Sequence, residues 1–497
     1  MVAAGEAKSA VKYETRLFIN NEYVEGTGKR LTVRNPNNET IVTEDVQTAS
    51  EADVEKAFDA AQAAYKGEWS KWTASQRSAV LMKVAELIEK EAGREGTDDD
   101  PSLPHLETVA MGAPVQAGKW ILGLCAEVFK YYAGWTNKIP GEQYPADDGT
   151  YKIVSYEPLG VCAGIGAWNV SYILLANKIA PALAAGNTFI FKASEKSPLG
   201  CIRFARIFKE AGIPAGVVNV ITGGGDVGAL LASHPRIRKI SFTGSVPTGK
   251  KIQAAAANSN LKRVTLELGG KSPALVFEDA DLENAYSVCA DAFLFNTTQA
   301  CIASSRCFVQ ESIAPAFIEG MKKRFASLGN NMGDPSLETT SYGPLADQAQ
   351  YDRVMSFIEA GKKEAELAIG GERVGEKGHF IKPTIFLNAK DDASIYRDEI
   401  FGPVLGIRTF KTEEEAIELA NDTNYGLSSV LLTKSISRAL RVSRQIEAGT
   451  VAINQSHSIS VSAPFGGFKE SGVGRESGRE GIMGYLQSKT ILIGMGV

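Results

Sequence analysis

One thiol stands in the stretch "NTTQACIASSR", Asn296 to Arg306, among small and hydroxylated residues, just after the apolar run "YSVCADAFLF". A cysteine so placed is either a nucleophile, once deprotonated, or a small core residue, because cysteine is among the most often buried types. Its neighbours alone leave both readings of Cys301 open. Two other stretches suit a nucleotide. "FIFKASE" sets Lys192 and Glu195 three residues apart, just past a buried apolar run. A carboxylate there accepts hydrogen bonds from both hydroxyls of a ribose and repels a 2′-phosphate, which favours NAD over NADP. "FTGSVPTGK" sets Gly244, Ser245 and Gly249 at the start of a helix, where backbone N–H groups and the helix dipole favour a pyrophosphate. "GGGDVG", Gly223 to Gly228, is a literal G-x-G-x-x-G, but the next strand ends "SFTGS" without the acid that completes the usual fingerprint.

The pattern predicts the elements that must carry these groups. "RLFINNEYVEG" reads as a hairpin with an Asn-Asn turn. "SEADVEKAFDAAQAAYKG" reads as a helix capped by Ser50 with Asp53 in a capping box and ending at Gly67, and "SQRSAVLMKVAELIEKEAGR" as a second amphipathic helix. "EGTDDDPSLP" reads as a solvated charged loop. From residue 151 buried strands ("GVCAGIGA", "NTFIFKAS", "GVVNVITG", "IRKISFTG", "RVTLELGG") alternate with helices, which implies a parallel sheet covered on both faces, with ligands beyond the strands' carboxyl ends. A second α/β series runs from "KSPALVFED" to "FGPVLGIRTF". The final "SKTILIGMGV" is an apolar strand without a sequence neighbour, so a partner from another subunit is expected.

Composition bounds the class. The chain has 497 residues, 44% hydrophobic and 22% charged, with net charge −5. That length implies two or three domains, and the charge gives no footprint for nucleic acid or an anionic membrane. The six cysteines (125, 162, 201, 289, 301 and 307) are dispersed without C-x-x-C spacing, so neither a disulfide framework nor a metal site is indicated. The N-terminus has no apolar h-region, and the most apolar span, Tyr172 to Phe191, is broken by Lys178, Pro181, Gly186 and Asn187. A cytoplasmic protein with no membrane span is expected.

Seven motifs in order, "GAWN" (166–169), "FKASE" (191–195), "FTGS" (242–245), "ELGGKSP" (267–273), "QACIASSR" (299–306), "EIFGPV" (399–404) and "PFGGFKESGVGRE" (464–476), resemble the NAD(P)-dependent aldehyde dehydrogenase superfamily over almost the whole chain. "PLGVCAGIGAWN" resembles the betaine-aldehyde-like branch most in wording. The resemblance implies an α/β fold with a Rossmann-like cofactor domain (1–138 and 156–266), a catalytic domain (267–478) and a small β oligomerisation element (139–155 and 479–497), in a homodimer or homotetramer. It implies Cys301 as nucleophile, Glu267 as general base, Asn169 as oxyanion donor, and Lys178 with Glu476 as a proton relay. For the cofactor, it implies Ile165, Gly166, Ala167, Trp168, Lys192, Ser194, Glu195, Gly225, Gly244, Ser245, Thr248, Gly249, Leu268, Glu399 and Phe401. Keeping Glu267 favours release of a free acid over acyl transfer to coenzyme A.

The substrate side departs from the branch. Thr298 stands where many relatives have Gly, which predicts a stiffer loop. Val170, Ile173, Leu174 and Asn177 follow the oxyanion residue, and the loop "QSHSISVSA" before "PFGG" has no aromatic residue. A quaternary ammonium is held by aromatic faces, so betaine-type aldehydes are expected to be poor substrates. Phe295, Ala300, Ile302, His457 and Phe465 complete the candidate tunnel, with Tyr172 and Phe293 as further candidate aromatic walls. The expected substrate is an uncharged medium-to-bulky or aromatic aldehyde.

Overall fold

The computed structural model describes residues 11–456 and 460–496. Its largest sheet has eight strands, five of them parallel: Val161–Ile165, Thr188–Ala193, Val218–Thr222, Lys239–Thr243 and Arg263–Glu267. Taken as one to five in chain order, these lie as 3-2-1-4-5, a doubly wound order whose crevice opens between the first and fourth, Val161–Ile165 and Lys239–Thr243. Every side chain of these two strands is buried, because helices cover both faces. The hairpin Leu17–Ile19 and Glu22–Val24 pairs onto one edge, turning through Asn20 (φ 58) and Asn21 (φ 63), residues that tolerate the left-handed region.

A second sheet of seven strands includes Pro273–Val276 between Arg306–Gln310 and Ser428–Leu432. The two sheets are joined through "ELGG": Glu267 ends a strand of the first, and Pro273 begins one of the second. Gly472–Val473, inside the span assigned from sequence to the catalytic domain, pairs instead with the first sheet opposite Leu266 and Glu267. The capping box at Ser50 and Asp53 forms as expected. The loop at 93–102 is more than solvated linker, because Asp100 bridges Arg203, Arg206 and Arg94.

The final strand, Leu486–Gly494, was expected to need another subunit. It pairs instead along its full length with Thr150–Pro158 of the same chain, in a three-stranded sheet completed by Glu142–Tyr144. Local pattern could not show this long-range partner, but the pairing joins the two segments, 139–155 and 479–497, that the resemblance placed in one β element. Ile491, Leu492 and Ile493 remain exposed on that edge strand.

Behind the thiol, the buried Arg306 donates to the carbonyls of Lys271, Leu419, Ala420 and Asp422. It closes the C-terminus of the helix Glu413–Asn421, where a cation complements the dipole, and it lies 5.5 Å and 5.4 Å from the ring centroids of Phe308 and Tyr396. Replacing it by Met, Arg306→Met, leaves the carbonyls of Lys271, Leu419 and Ala420 without this donor, while Asp422 O keeps Arg397. The expected cost is about 3 kcal/mol of stability, read as a lower midpoint in urea denaturation.

Candidate active site

Five of the six cysteines are buried, and Cys301 alone is partly accessible. It follows a tight left-handed turn: Asn296, Thr297 and Thr298 have φ of 52, 55 and 60°. A β-branched residue there is strained, and side chains hold the turn in place. Thr297 Oγ1 donates to Gly343 O (2.9 Å), Thr298 Oγ1 to Phe293 O (3.0 Å), and Asn296 Nδ2 to Asn169 O (2.9 Å). Gln299 takes part from both ends of its amide, with Oε1 accepting from Ala346 N and Nε2 donating to Pro344 O. The stiffer loop expected at Thr298 thus has a concrete form, a left-handed Thr locked by its hydroxyl.

Cys301 opens on a cavity of about 500 Å³ between the two sheets. Asn169, Glu267, Thr243, Gly244, Ser245, Leu268, Glu399 and Phe401 share its walls. Asn169 Nδ2 donates one N–H to Gln299 O at 2.8 Å, which ties it to the cysteine loop and leaves its second N–H for an acceptor in the cavity. Glu267 is 4% exposed, and neither of its oxygens has a hydrogen-bond partner. Burial and the nearby Glu476 push its carboxyl well above the usual range, against the pull of Lys178 and Arg475. A carboxylate held this way takes up a proton more readily than an ordinary glutamate, as a general base must. Burial, with Glu399 and Glu267 adding to it, pushes the Cys301 thiol up to about 12.

The two glycines of "ELGG" bring the parts close. A Cβ at Gly269 would lie 2.2 Å from Glu399 Oε2, and one at Gly270 would lie 2.5 Å from Cys301 O. The Gly270 N–H also donates to Glu399 Oε1 at 3.1 Å. Lys178, wholly buried, pairs with Glu476 at 2.6 Å and donates to Thr243 Oγ1 at 2.7 Å, and Ser241 Oγ donates to Glu476 at 2.8 Å. The Lys178–Glu476 pair is therefore present, but no hydrogen bond joins it to Glu267.

On the nucleotide side, Ala167 and Trp168 line the cavity just past Ile165 and Gly166. Ser245 begins the helix Val246–Ser259 without a side-chain cap, so its first N–H groups are free to meet an anion. Thr248 hydrogen-bonds Ser245 Oγ at 3.0 Å, and Gly249 sits against Leu268. Lys192 and Glu195 pair at 3.2 Å; Lys192 and Ser194 are buried and Glu195 is exposed, at the end of the neighbouring strand. Gly225 starts the helix Gly225–Ser233, one strand further on.

On the substrate side, Val170 and Leu174 line the cavity, and Ala300 and Ile302 flank the thiol, both partly exposed. Ile173 and Tyr172 are packed in the large core instead, where Tyr172 donates to Leu103 O. Asn177 is buried on the same helix. Phe293 lies in the core of the second sheet and stacks on Phe325. Phe465 pairs through its backbone with Glu476, and His457 lies outside the described residues. Sequence reading missed Gln350, Arg353 and Tyr425, which also line the cavity. Arg353 donates to Glu399 O and Gln350 to Phe401 O, holding a segment in which Phe401 has φ 62°. It also missed Trp120, edge-on to Phe295 at 5.6 Å. Gln350, Arg353 and Trp120 come from helices and Tyr425 from a loop, none with a local motif, so no sequence signal marked them.

A doubly wound sheet that faces a second α/β lobe across a cavity, with a partly accessible thiol and an unpaired carboxylate in its wall, is the arrangement of a nucleotide-binding enzyme with a candidate nucleophile. The comparisons narrow that class. The aldehyde dehydrogenase family model matches residues 23–491. An aldehyde dehydrogenase of Davidiella tassiana is 44% identical over 496 residues, covering 99% of this chain and 98% of its own. Retinaldehyde dehydrogenase 3 of Homo sapiens is 42% identical over 492 residues, covering 97% and 93%. The structure of an aldehyde dehydrogenase from Bacillus cereus in complex with NAD+ superposes with a TM-score of 0.92 at 38% identity, covering 98% and 97%. The chain belongs to the aldehyde dehydrogenase family.

The accessibility and acidity of the thiols give a direct test. Iodoacetamide is expected to label the native ligand-free protein once, at Cys301, by peptide mass spectrometry. Below a thiol pKa of about 12, the thiolate fraction and so the labelling rate rise about tenfold per pH unit. The rate should therefore still be climbing between pH 7 and 10; a plateau near pH 8 overturns the raised thiol pKa, and labelling at another cysteine overturns the assignment of Cys301 as the accessible thiol.

Proposed function

We propose that this family member oxidises an uncharged, medium-to-bulky or aromatic aldehyde to its carboxylic acid with NAD+, through a thioester on Cys301. The observation that carries the reading is a single cavity shared by the one accessible thiol, the Asn169 amide and the unpaired Glu267 carboxylate. The residues fit a dinucleotide: an uncapped helix N-terminus for the pyrophosphate, and two carboxylates, Glu195 and Glu399, for ribose hydroxyls. Bound there, NAD+ supplies the acceptor for the aldehyde hydride. The likeness to the Bacillus cereus NAD+ complex supports the choice of cofactor, and the exposed charge of Glu195 disfavours a 2′-phosphate.

The chain's own groups account for the rest. Cys301 must lose its proton before it attacks, and Glu267, raised in pKa and unbonded, is the base at hand. The sulfur forms a bond to the carbonyl carbon, the π pair moves to oxygen, and the second N–H of Asn169 with the Cys301 backbone N–H stabilises that oxyanion. When the oxyanion collapses, the carbon loses hydride and remains as a thioester. Glu267 gives up the thiol's proton before hydrolysis. Water then attacks the thioester while Glu267 takes the water's proton. The carbon–sulfur bond breaks and that proton goes to the sulfur, so the acid leaves with the Cys301 thiol restored. The first of these protons must leave Glu267 before hydrolysis, and the buried Lys178–Glu476 pair, near enough to act on the Glu267 charge though not hydrogen-bonded to it, is its proposed receiver.

Two experiments test this reading. Cys301→Ser should lose at least about 1000-fold in kcat. Glu267→Gln should slow deacylation as well as thiol activation, so a residual acyl adduct on Cys301 should become visible by intact-protein mass spectrometry. Near-normal turnover of either variant overturns the mechanism. An aldehyde panel followed by NADH absorbance should favour medium-chain and aromatic aldehydes over a trimethylammonium aldehyde, and NAD+ over NADP+ at equal concentration. A higher kcat/KM for the ammonium substrate, or for NADP+, overturns the corresponding part of the proposal.

A further inference from the structure

The oxyanion donor needs more than its own side chain. Asn169 sits in a three-residue corner, Trp168 to Val170, between the end of the strand Val161–Ile165 and the helix Ser171–Ala184. Val170 (φ −147, ψ 58) is in neither helical nor extended conformation, so regular structure does not fix the corner. Polar groups pin each of its ends. Ser197 Oγ donates to Trp168 O at 3.0 Å, and Asn296 Nδ2 donates to Asn169 O at 2.9 Å. At the helix start, the Ser171 N–H donates to Glu107 Oε1 at 3.0 Å.

Glu107 is not a surface cap. It is 4% exposed, lies on the separate helix Leu103–Met111, and its second oxygen has no partner. A buried carboxyl with one unsatisfied oxygen is expensive to keep, and a neutral alanine would fit a helix interior better. It is also the only carboxyl group on a small hole of about 10 Å³ bounded by Asn169, Val170, Phe295 and Asn296. The group thus touches the oxyanion corner from behind, opposite the catalytic cavity. Its carboxyl oxygen keeps an acceptor lone pair whether it is ionised or protonated, so the contact survives the upward pull of burial, to about 7.

We propose that Glu107 is a positioning residue for the oxyanion site: by holding the Ser171 N–H it fixes the Trp168–Val170 corner, so that the free N–H of Asn169 meets the oxyanion formed on Cys301. This rests on the role of Asn169 in the reaction proposed above. The test is a double-mutant cycle in the full-length protein, with kcat, KM for aldehyde and NADH binding by fluorescence measured for each variant. Glu107→Ala should lower kcat about 30-fold or more while KM and NADH affinity change less than about threefold. Glu107→Gln, which keeps an acceptor for the Ser171 N–H, should stay within about threefold of wild type. In an Asn169→Ala background, Glu107→Ala should cost less than about threefold further, because the group it positions is gone. If the alanine protein does not fold, Glu107→Asp, with its acceptor about 1.5 Å short, takes its place and should show the same cycle with a smaller loss. Equal losses in both backgrounds, or a near-normal Glu107→Ala, overturn the proposal. A fully active Asn169→Ala overturns the oxyanion role itself and this inference with it, whereas an inactive Asn169→Ala beside a normal Glu107→Ala overturns this inference alone.

Discussion

The left-handed turn at Asn296–Thr298 is the constraint on which the site depends. Three successive non-glycine residues in that region cost on the order of 1–2 kcal/mol each, less for the asparagine. No isolated peptide of this sequence would stay there. The turn persists because the hydroxyls of Thr297 and Thr298 and the amides of Asn296 and Gln299 find carbonyls or N–H groups at 343–346, at Phe293 and at Asn169. At about 1 kcal/mol apiece, these bonds are of the same order as the strain. The turn carries the chain out of the core helix region at 282–292 and leaves Cys301 facing the cavity, half-exposed among five buried thiols.

The same bonds couple Cys301, the proposed nucleophile, to Asn169, the proposed oxyanion donor. Asn169 gives one N–H to Gln299 O and accepts at its own carbonyl from Asn296, so the amide and the thiol sit on one hydrogen-bonded unit drawn from both lobes. Glu267 is the opposite case. It ends a strand, its backbone is pinned by Gly472 and by the Gly244 N–H, and its side chain is left with nothing to bond. The backbone supplies the position, and the missing partners supply the basicity. Such a group lowers stability, which is consistent with a functional position such as the base proposed for Glu267.

Much of the architecture was legible from residue order. Alternating apolar strands and helices gave the parallel sheet, and the capping box at Ser50 and the Asn-Asn hairpin formed where the pattern placed them. The motif residues Gly244, Ser245, Glu267, Cys301 and Glu399 do meet around one cavity. What failed were inferences from local pattern that needed distance. Pattern alone left the last strand without a partner, where the resemblance had grouped 139–155 with 479–497; the strand pairs with 150–158, more than 300 positions away. Asp100, in a loop read as solvated, bridges three arginines. Tyr172 and Ile173 stand two and three positions beyond Val170, yet the helix turns them into the core, because a rotation of about 100° per residue separates cavity-facing from core-facing positions.

The sequence by itself determined the chemistry. It named a thiol, a carboxylate, an amide and an acid for a ribose, each marked by a short motif, because reactive groups need particular residue types and local glycines. The tertiary structure decided whether those groups are reactive. Whether Cys301 is accessible, whether Glu267 is starved of partners and which side chains hold Asn169 are properties of surroundings assembled from segments far apart in the chain. Burial and the field of neighbouring charges act through space, and no spacing along the sequence records them.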